Sequence, residues 1–249
     1  MTLVTRTAWH ARASRDRTEL DRQPAGVKIH YVGSRVDPAT ADDHDLCVRL
    51  VRAIQEQHMD ANGWNDIGYT ACVCSHRQVL IGRGVGVLPA ANGPGLNTDH
   101  YALCALAGTS GLVVPPAGML HGLVDAIEWL RQNGAGQEVK GHRDGYDTDC
   151  PGEWLYGWIQ RGHLRPGQKP PSAPPFHRVL HYPPFMTGQD VRTWQAQMAR
   201  RGWQIVVDGL FGPGSQEVAA AFQQEKGIAP VNGRVNRETW EAAWTAPIT

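Results

Sequence analysis

The sequence predicts an α/β protein with a mixed central sheet flanked by helices, followed by a second, small three-helix domain. Three observations carry this prediction. Strand-like apolar runs are interspersed with amphipathic helical stretches up to about residue 162, a Pro-rich segment then breaks the pattern, and the remainder shows only short helical stretches and turn dipeptides.

In chain order, Val27-Lys-Ile-His-Tyr-Val32 reads as a strand. The stretch from Asp42 to Met59 spaces Leu46, Leu50 and Ile54 on one helical face, and Asn62-Gly63 ends it. Two strand-like runs, Gly68 to Ser75 and Gln78 to Arg83, lie close enough for a hairpin. Tyr101 to Ala107 is a further strand, and Leu120, Leu123, Val124, Ile127 and Leu130 mark a helix stopped by Asn133-Gly134. Pro151 suits the first position of a helix that continues through Trp154, Leu155, Trp158 and Ile159. These elements make residues 1–162 one domain. The segment 163–184, with Pro166, Pro170, Pro171, Pro174 and Pro175, reads as a semi-extended linker. In 185–249, helices are expected over Gly188 to Gly202 and Gly214 to Gly227. The turns Asp208-Gly209 and Asn232-Gly233 follow them, a weak duplication of helix plus turn.

Lys+Arg and Asp+Glu both total 24 among 249 residues, so no global field points to nucleic acid or to a membrane surface. No apolar run reaches membrane-spanning length, and the start Met1 to Trp9 lacks the long apolar stretch of a secretory leader. A soluble product made in the cytoplasm, acting as a monomer, is expected. The 5 cysteines do not suggest a disulfide framework, and Cys47, Cys72, Cys74 and Cys104 are expected as reduced packing residues.

The chemistry concentrates in Val139-Lys-Gly-His-Arg-Asp-Gly-Tyr-Asp-Thr-Asp-Cys-Pro-Gly152. His142 offers an imidazole and Cys150 a thiolate, a pairing that favours Zn²⁺, and a helix beginning at Pro151 would favour the thiolate through its dipole. A catalytic zinc needs a third protein ligand. Of the 11 histidines, His30 is the best candidate because a strand could aim it rigidly into a cleft; His100 and His121 remain open. His10, His44, His58, His76, His163, His177 and His181 receive no role. Asp144, Asp147 and Asp149 are candidates to orient a ligand histidine. Arg83, in a Gly-Arg-Gly run, could bind carboxylates or stand solvated at a hairpin end.

Arg6-x-x-Trp9-x-Ala11-Arg12, His30, Gly63-Trp64-x-Asp66-Ile67-Gly68-Tyr69, Gly82-Arg83-Gly84, Gly141-His142-Arg143-Asp144 and Thr148-x-Cys150-Pro151-Gly152 occur in one order. Together they resemble the zinc N-acetylmuramoyl-L-alanine amidases of the peptidoglycan-recognition-protein type, a family that includes phage lysozymes of the amidase class. The resemblance implies that His30, His142 and Cys150 hold zinc, that Tyr69 and Thr148 line the catalytic cleft and donate to an oxyanion, and that Arg83 meets the carboxylates of a peptide stem. His30-Tyr31-Val32 looks like the endolysins of phages infecting actinobacteria, and Thr148 stands where some phage members carry lysine. Gly188-x-Asp190-Val191-x-x-Trp194-Gln195, Asp208-Gly209-x-Phe211-Gly212, Phe222-Gln223 and Thr239-Trp240 resemble the small peptidoglycan-binding domain of wall hydrolases. The partner implied is bacterial peptidoglycan, cut by an endolysin held in the host cytoplasm until lysis. A host autolysin and a muropeptide receptor that does not cut are the alternatives.

Overall fold

The run Val27-Lys-Ile-His30 is buried at every position, not at alternate ones, which fits a strand covered on both faces between parallel neighbours. It belongs to β2 (Gly26–Val36) of a six-stranded sheet that also contains β1 (Thr2–Val4), β3 (Ala71–Val73), β4 (Gln78–Ile81), β5 (His100–Gly111) and β6 (Glu138–Gly141). The strand order is β1-β4-β3-β5-β2-β6. Only the β3–β4 hairpin is antiparallel, so the sheet is mixed, as expected. The computed structural model describes residues 1–168 and 172–246, which fall into two compact units, Met1–Gln168 and 172–246.

In the first unit, α1 (His44–Glu56), α2 (Ala117–Gln132) and α3 (Glu153–Gln160) accompany the sheet. Helix α1 opens on Asp43, whose carboxylate accepts the Asp45 N–H, and buries Cys47, Val51, Ile54 and Gln55. That face is rotated by about one residue from the expected Leu46–Leu50 stripe. Leu46 and Leu50 are only half-buried, because the groups packed most deeply are Cys47 and Val51. Helix α2 buries Leu123, Val124, Ile127 and Leu130 as its periodicity requires. The short strands β1 and β6 carry too few apolar residues to be read from pattern; each forms by parallel pairing along an existing strand.

Helix α3 begins at Glu153, two residues later than expected, with Gly152 as its N-cap. Gly152 has φ +81°, outside the helical region, and a Cβ placed there would meet the Tyr31 ring at 3.0 Å. Cys150 and Pro151 therefore precede the helix.

The proline-rich stretch expected as a linker extends beyond the described residues at 169–171. On one side of that gap, Leu164 accepts a bond from Trp158 Nε1 and Arg165 pairs with Asp125 and Glu128. On the other, Pro174 accepts from Trp240 Nε1, and Leu180 is fully buried, bridged to Val235.

The second unit contains α4 (Gln189–Arg200), α5 (Pro213–Lys226) and α6 (Arg237–Thr245), with a two-stranded ribbon of β7 (Met186–Thr187) and β8 (Leu210–Phe211). Trp194, Phe211, Phe222, Met198 and Val235 form its core. The expected duplication is present as hydrogen bonding. Gln195 Oε1 accepts from Gly209, while its Nε2 donates to Leu210 O and Ser215. Gln223 Oε1 accepts from Asn232 and Gly233, while its Nε2 donates to Arg234 O and Thr239. In both repeats a buried amide staples a Gly turn to the next helix. Among the described residues, no helix is long and apolar enough to cross a membrane.

Candidate metal centre

Parallel pairing of β2 with β6 sets Ile29 against Gly141, and the His142 N–H donates to Ile29 O at 3.2 Å. The next residue on each chain is a histidine. Their rings lie 4.4 Å apart between centroids. Residue 141 must be glycine-sized, since a Cβ would meet Pro151 Cδ and the Tyr156 ring at 2.9 Å.

The loop from His142 then folds back to bring in Cys150. Arg143 N donates to Cys150 O, Asp144 accepts from Gly141 N and from the Tyr156 hydroxyl, and Arg143 reaches Glu153. Cys150 Sγ ends 3.7 Å from His30 Nδ1, and one donor atom each from His30, His142 and Cys150 lie within 4.8 Å of one another. Tetrahedral zinc with ordinary Zn–S and Zn–N bonds separates sulfur from nitrogen by about 3.5 Å, so the spacing fits. His142 Nε2 is buried without a hydrogen-bond partner among the described residues. Two imidazoles and one sulfur form a three-donor set of the kind that leaves a coordination position for substrate chemistry. His100 is elsewhere, bonded to Glu138 at 2.7 Å, and His121 is not in the cluster.

Burial pushes the pKa of His30 down to about 3, with His142 adding to the shift, and that of His142 to about 4, with Lys28 adding. Both rings are neutral at neutral pH, the form a metal needs. Burial pushes Cys150 up to about 12, only partly countered by the Tyr31 N–H. The expected dipole stabilisation of the thiolate is thus outweighed by desolvation, and the helix begins too late to supply it. At this site a bound cation, rather than the helix, would be what displaces this proton.

Sequence reasoning missed Asn92. It is fully buried; its Oδ1 lies 2.8 Å from His30 Nε2, while its Nδ2 donates to His100 O. It takes the orienting role expected of the loop aspartates, and Asp144 serves the loop backbone instead. An asparagine in an Asn-Gly-Pro turn carries no signal of that role.

Tyr69 is half-buried with its ring 5.5 Å from His30, and burial among Cys104, Cys72 and Cys150 raises its pKa well above the usual phenol value. Thr148 lies on the ligand loop, where its Oγ1 accepts the Cys150 N–H at 3.2 Å. Arg83 donates to Ile67 O and Leu88 O, so at least part of its guanidinium braces the wall beside Tyr69 rather than standing solvated. His58, given no role from sequence, accepts the Gly68 N–H and packs on Trp64 and Tyr69. The exposed Tyr146 stacks on His142 at 5.0 Å.

The chain has clear relatives among known proteins. Peptidoglycan recognition protein 1 of Bos indicus is 33% identical over 168 residues, spanning 64% of this chain and 83% of that protein. The chain belongs to the peptidoglycan recognition protein family. Another relative is the N-acetylmuramoyl-L-alanine amidase of Homo sapiens, 31% identical over 166 residues that cover 62% of this chain and 27% of the human protein. Among solved structures, wild-type Drosophila PGRP-LB matches with a TM-score of 0.55 and 28% identity, covering 64% of this chain and 92% of that one. A point mutant of that Drosophila protein, solved in complex with tracheal cytotoxin, matches with a TM-score of 0.55 and 27% identity over the same shares. Residues 187–243 match the family model of the peptidoglycan binding domain. This recognition-protein fold is thus joined here to a separate wall-binding type of domain.

Proposed function

We propose that the chain is a zinc-dependent N-acetylmuramoyl-L-alanine amidase that cuts the amide between the lactyl group of N-acetylmuramic acid and L-alanine, and that it serves as a phage endolysin. The observation that carries the chemistry is the His30, His142 and Cys150 cluster, with donors spaced for one tetrahedral ion. Relatives named as amidases and a relative solved with tracheal cytotoxin support the substrate class. The peptidoglycan-binding domain on the same chain, together with the His30-Tyr31-Val32 pattern, supports a lytic role after release from the host cytoplasm.

Zinc at this site would lower the pKa of water toward about 7 and polarise the scissile carbonyl. The residues of the chain do the rest. Tyr69, held as a neutral phenol, donates its hydroxyl hydrogen toward the developing oxyanion. Thr148 accepts from the Cys150 N–H, so its own hydroxyl hydrogen stays free to donate to the same oxygen or to the leaving amine. Arg83 braces the wall behind Tyr69, and any donor it has left would meet stem carboxylates. Asn92 holds His30 in the tautomer that turns Nδ1 toward Cys150.

The test is digestion of purified cell walls with and without chelator, measuring new amino termini and new reducing sugars. Amines without sugars, lost on chelation and restored by zinc, support the amidase. Sugars would make it a glycosidase, and binding without either product would make it a receptor.

A further inference from the structure

Two cysteines expected to be mere packing residues, and two histidines given no role, meet in a second cluster of the first unit. His44 and Cys47 lie on the first turn of α1, three positions apart and so on one face. Cys74 and His76 sit just after β3, in its turn to β4. Donor atoms of all four lie within 4.8 Å of one another. Cys74 Sγ is 3.6 Å from His44 Nδ1 and 3.7 Å from His76 Nδ1, and Cys47 Sγ is 3.9 Å from His76 Nδ1. The two rings are 5.5 Å apart and nearly perpendicular.

We propose that His44, Cys47, Cys74 and His76 form a second, closed zinc site that clips the start of α1 to the β3–β4 turn. The donor set is Cys₂His₂, with no carboxylate among the four, a composition that selects zinc over magnesium or calcium. The sulfur–nitrogen separations exceed the roughly 3.5 Å spanned by tetrahedral zinc by only a few tenths of an ångström. Both sulfurs are buried and both imidazoles half-buried, with Nδ1 of each ring turned toward sulfur. Apolar packing alone gives no reason for two rings to aim the same nitrogen at a pair of thiols. Four protein donors complete the coordination, so this site is structural, whereas His30, His142 and Cys150 leave a position open. Thirteen-residue α1 and the hairpin share one apolar core, and the ion would tie these two elements directly.

The proposal is independent of the amidase reading, and its test does not use activity. The full chain, made without a histidine tag in zinc-supplemented medium and dialysed, is assayed for zinc per chain by elemental analysis. Two zinc ions are expected for the wild type and one for Cys150→Ala. One is expected for Cys74→Ala, or for His44→Ala if Cys74→Ala does not fold. In the Cys150→Ala background, cobalt substitution should give the intense visible bands of a tetrahedral thiolate site, and chelation should lower the melting temperature. A Cys150→Ala protein that folds but holds no zinc overturns the second site. So does a Cys47–Cys74 disulfide found in the native chain after thiol blocking and mass spectrometry.

Discussion

Asn92 Oδ1 accepts the Nε2 hydrogen of His30 at 2.8 Å, and this one bond decides which nitrogen of His30 faces Cys150. The orientation of the amide is fixed in turn, because its Nδ2 donates to His100 O; the Asn92 backbone N–H separately donates to Asn97 Oδ1. Asn92→Ala leaves the His30 N–H and the His100 carbonyl unpaired and frees the ring to rotate. Zinc affinity at this centre should fall by roughly 10- to 100-fold, measured by chelator competition on His44→Ala protein so that only the one site reports. Unchanged affinity would show that His30 needs no such partner.

Tyr69→Phe tests the oxyanion donor. Burial keeps Tyr69 protonated and its ring sits against His30, so losing only the hydroxyl should leave the zinc content intact. The rate of amide cleavage should drop by roughly 100- to 1000-fold, as for loss of one oxyanion donor. A variant that cuts walls at the wild-type rate would remove Tyr69 from the chemistry, and one that also loses zinc would make its role structural.

The fold class was legible because the long strands and helices carry their own periodicity: Val27 to Val32, Tyr101 to Ala107 and Leu120 to Leu130 all occupy the expected elements. What was not legible arises from pairing and from close approach. β6 exists because Val139 lies along β2, not because its four residues prefer to be extended. Of the site, the His142 and Cys150 loop was visible as a motif, and His30 as a strand histidine. Asn92 was not, because an amide acquires its role only from what its neighbours present. The His44, Cys47, Cys74 and His76 cluster was missed for a similar reason: each pair is ordinary along the chain, and only the fold superposes them.

Stability should depend on pH in two separable windows. Burial, helped by the Arg131 charge, pushes His163 down to about 4, so the folded state holds it neutral. Its contribution is complete above the unfolded value near 6.5 and is lost as pH falls from there toward 4, an upper bound of about 3 kcal/mol. Glu138 is held down at about 2, chiefly by its bond to His100 and also by Lys140, so its contribution is lost later, between about 4.3 and 2. Melting temperatures measured from pH 8 to 2 should therefore fall less steeply than the wild type's in the upper window for His163→Asn, a residue that tolerates the positive φ found there, and in the lower one for Glu138→Gln, the remaining slope coming from His30, His58 and His142 in the upper window and from Asp125 in the lower. Identical profiles for wild type and variants would show that these groups titrate alike folded and unfolded.

The paired amides of the second unit make the last prediction. Gln223 Oε1 is the acceptor for both Asn232 N–H and Gly233 N–H, and Gln195 plays the corresponding part at Gly209. Gln223→Leu keeps apolar bulk but strands two backbone donors, one of them buried, together with the Thr239 hydroxyl contact. The expected cost is about 2 to 4 kcal/mol in a small core that has little to spare. The loss should fall on the second unit alone, since Met1–Gln168 has its own core. In the full chain, calorimetry should show one transition lowered and the other unmoved. Sedimentation with insoluble walls should weaken while cleavage of a soluble muropeptide continues at the wild-type rate. If both transitions fall together, the two units do not unfold independently, and the binding and cutting roles cannot be assigned to separate parts of the chain.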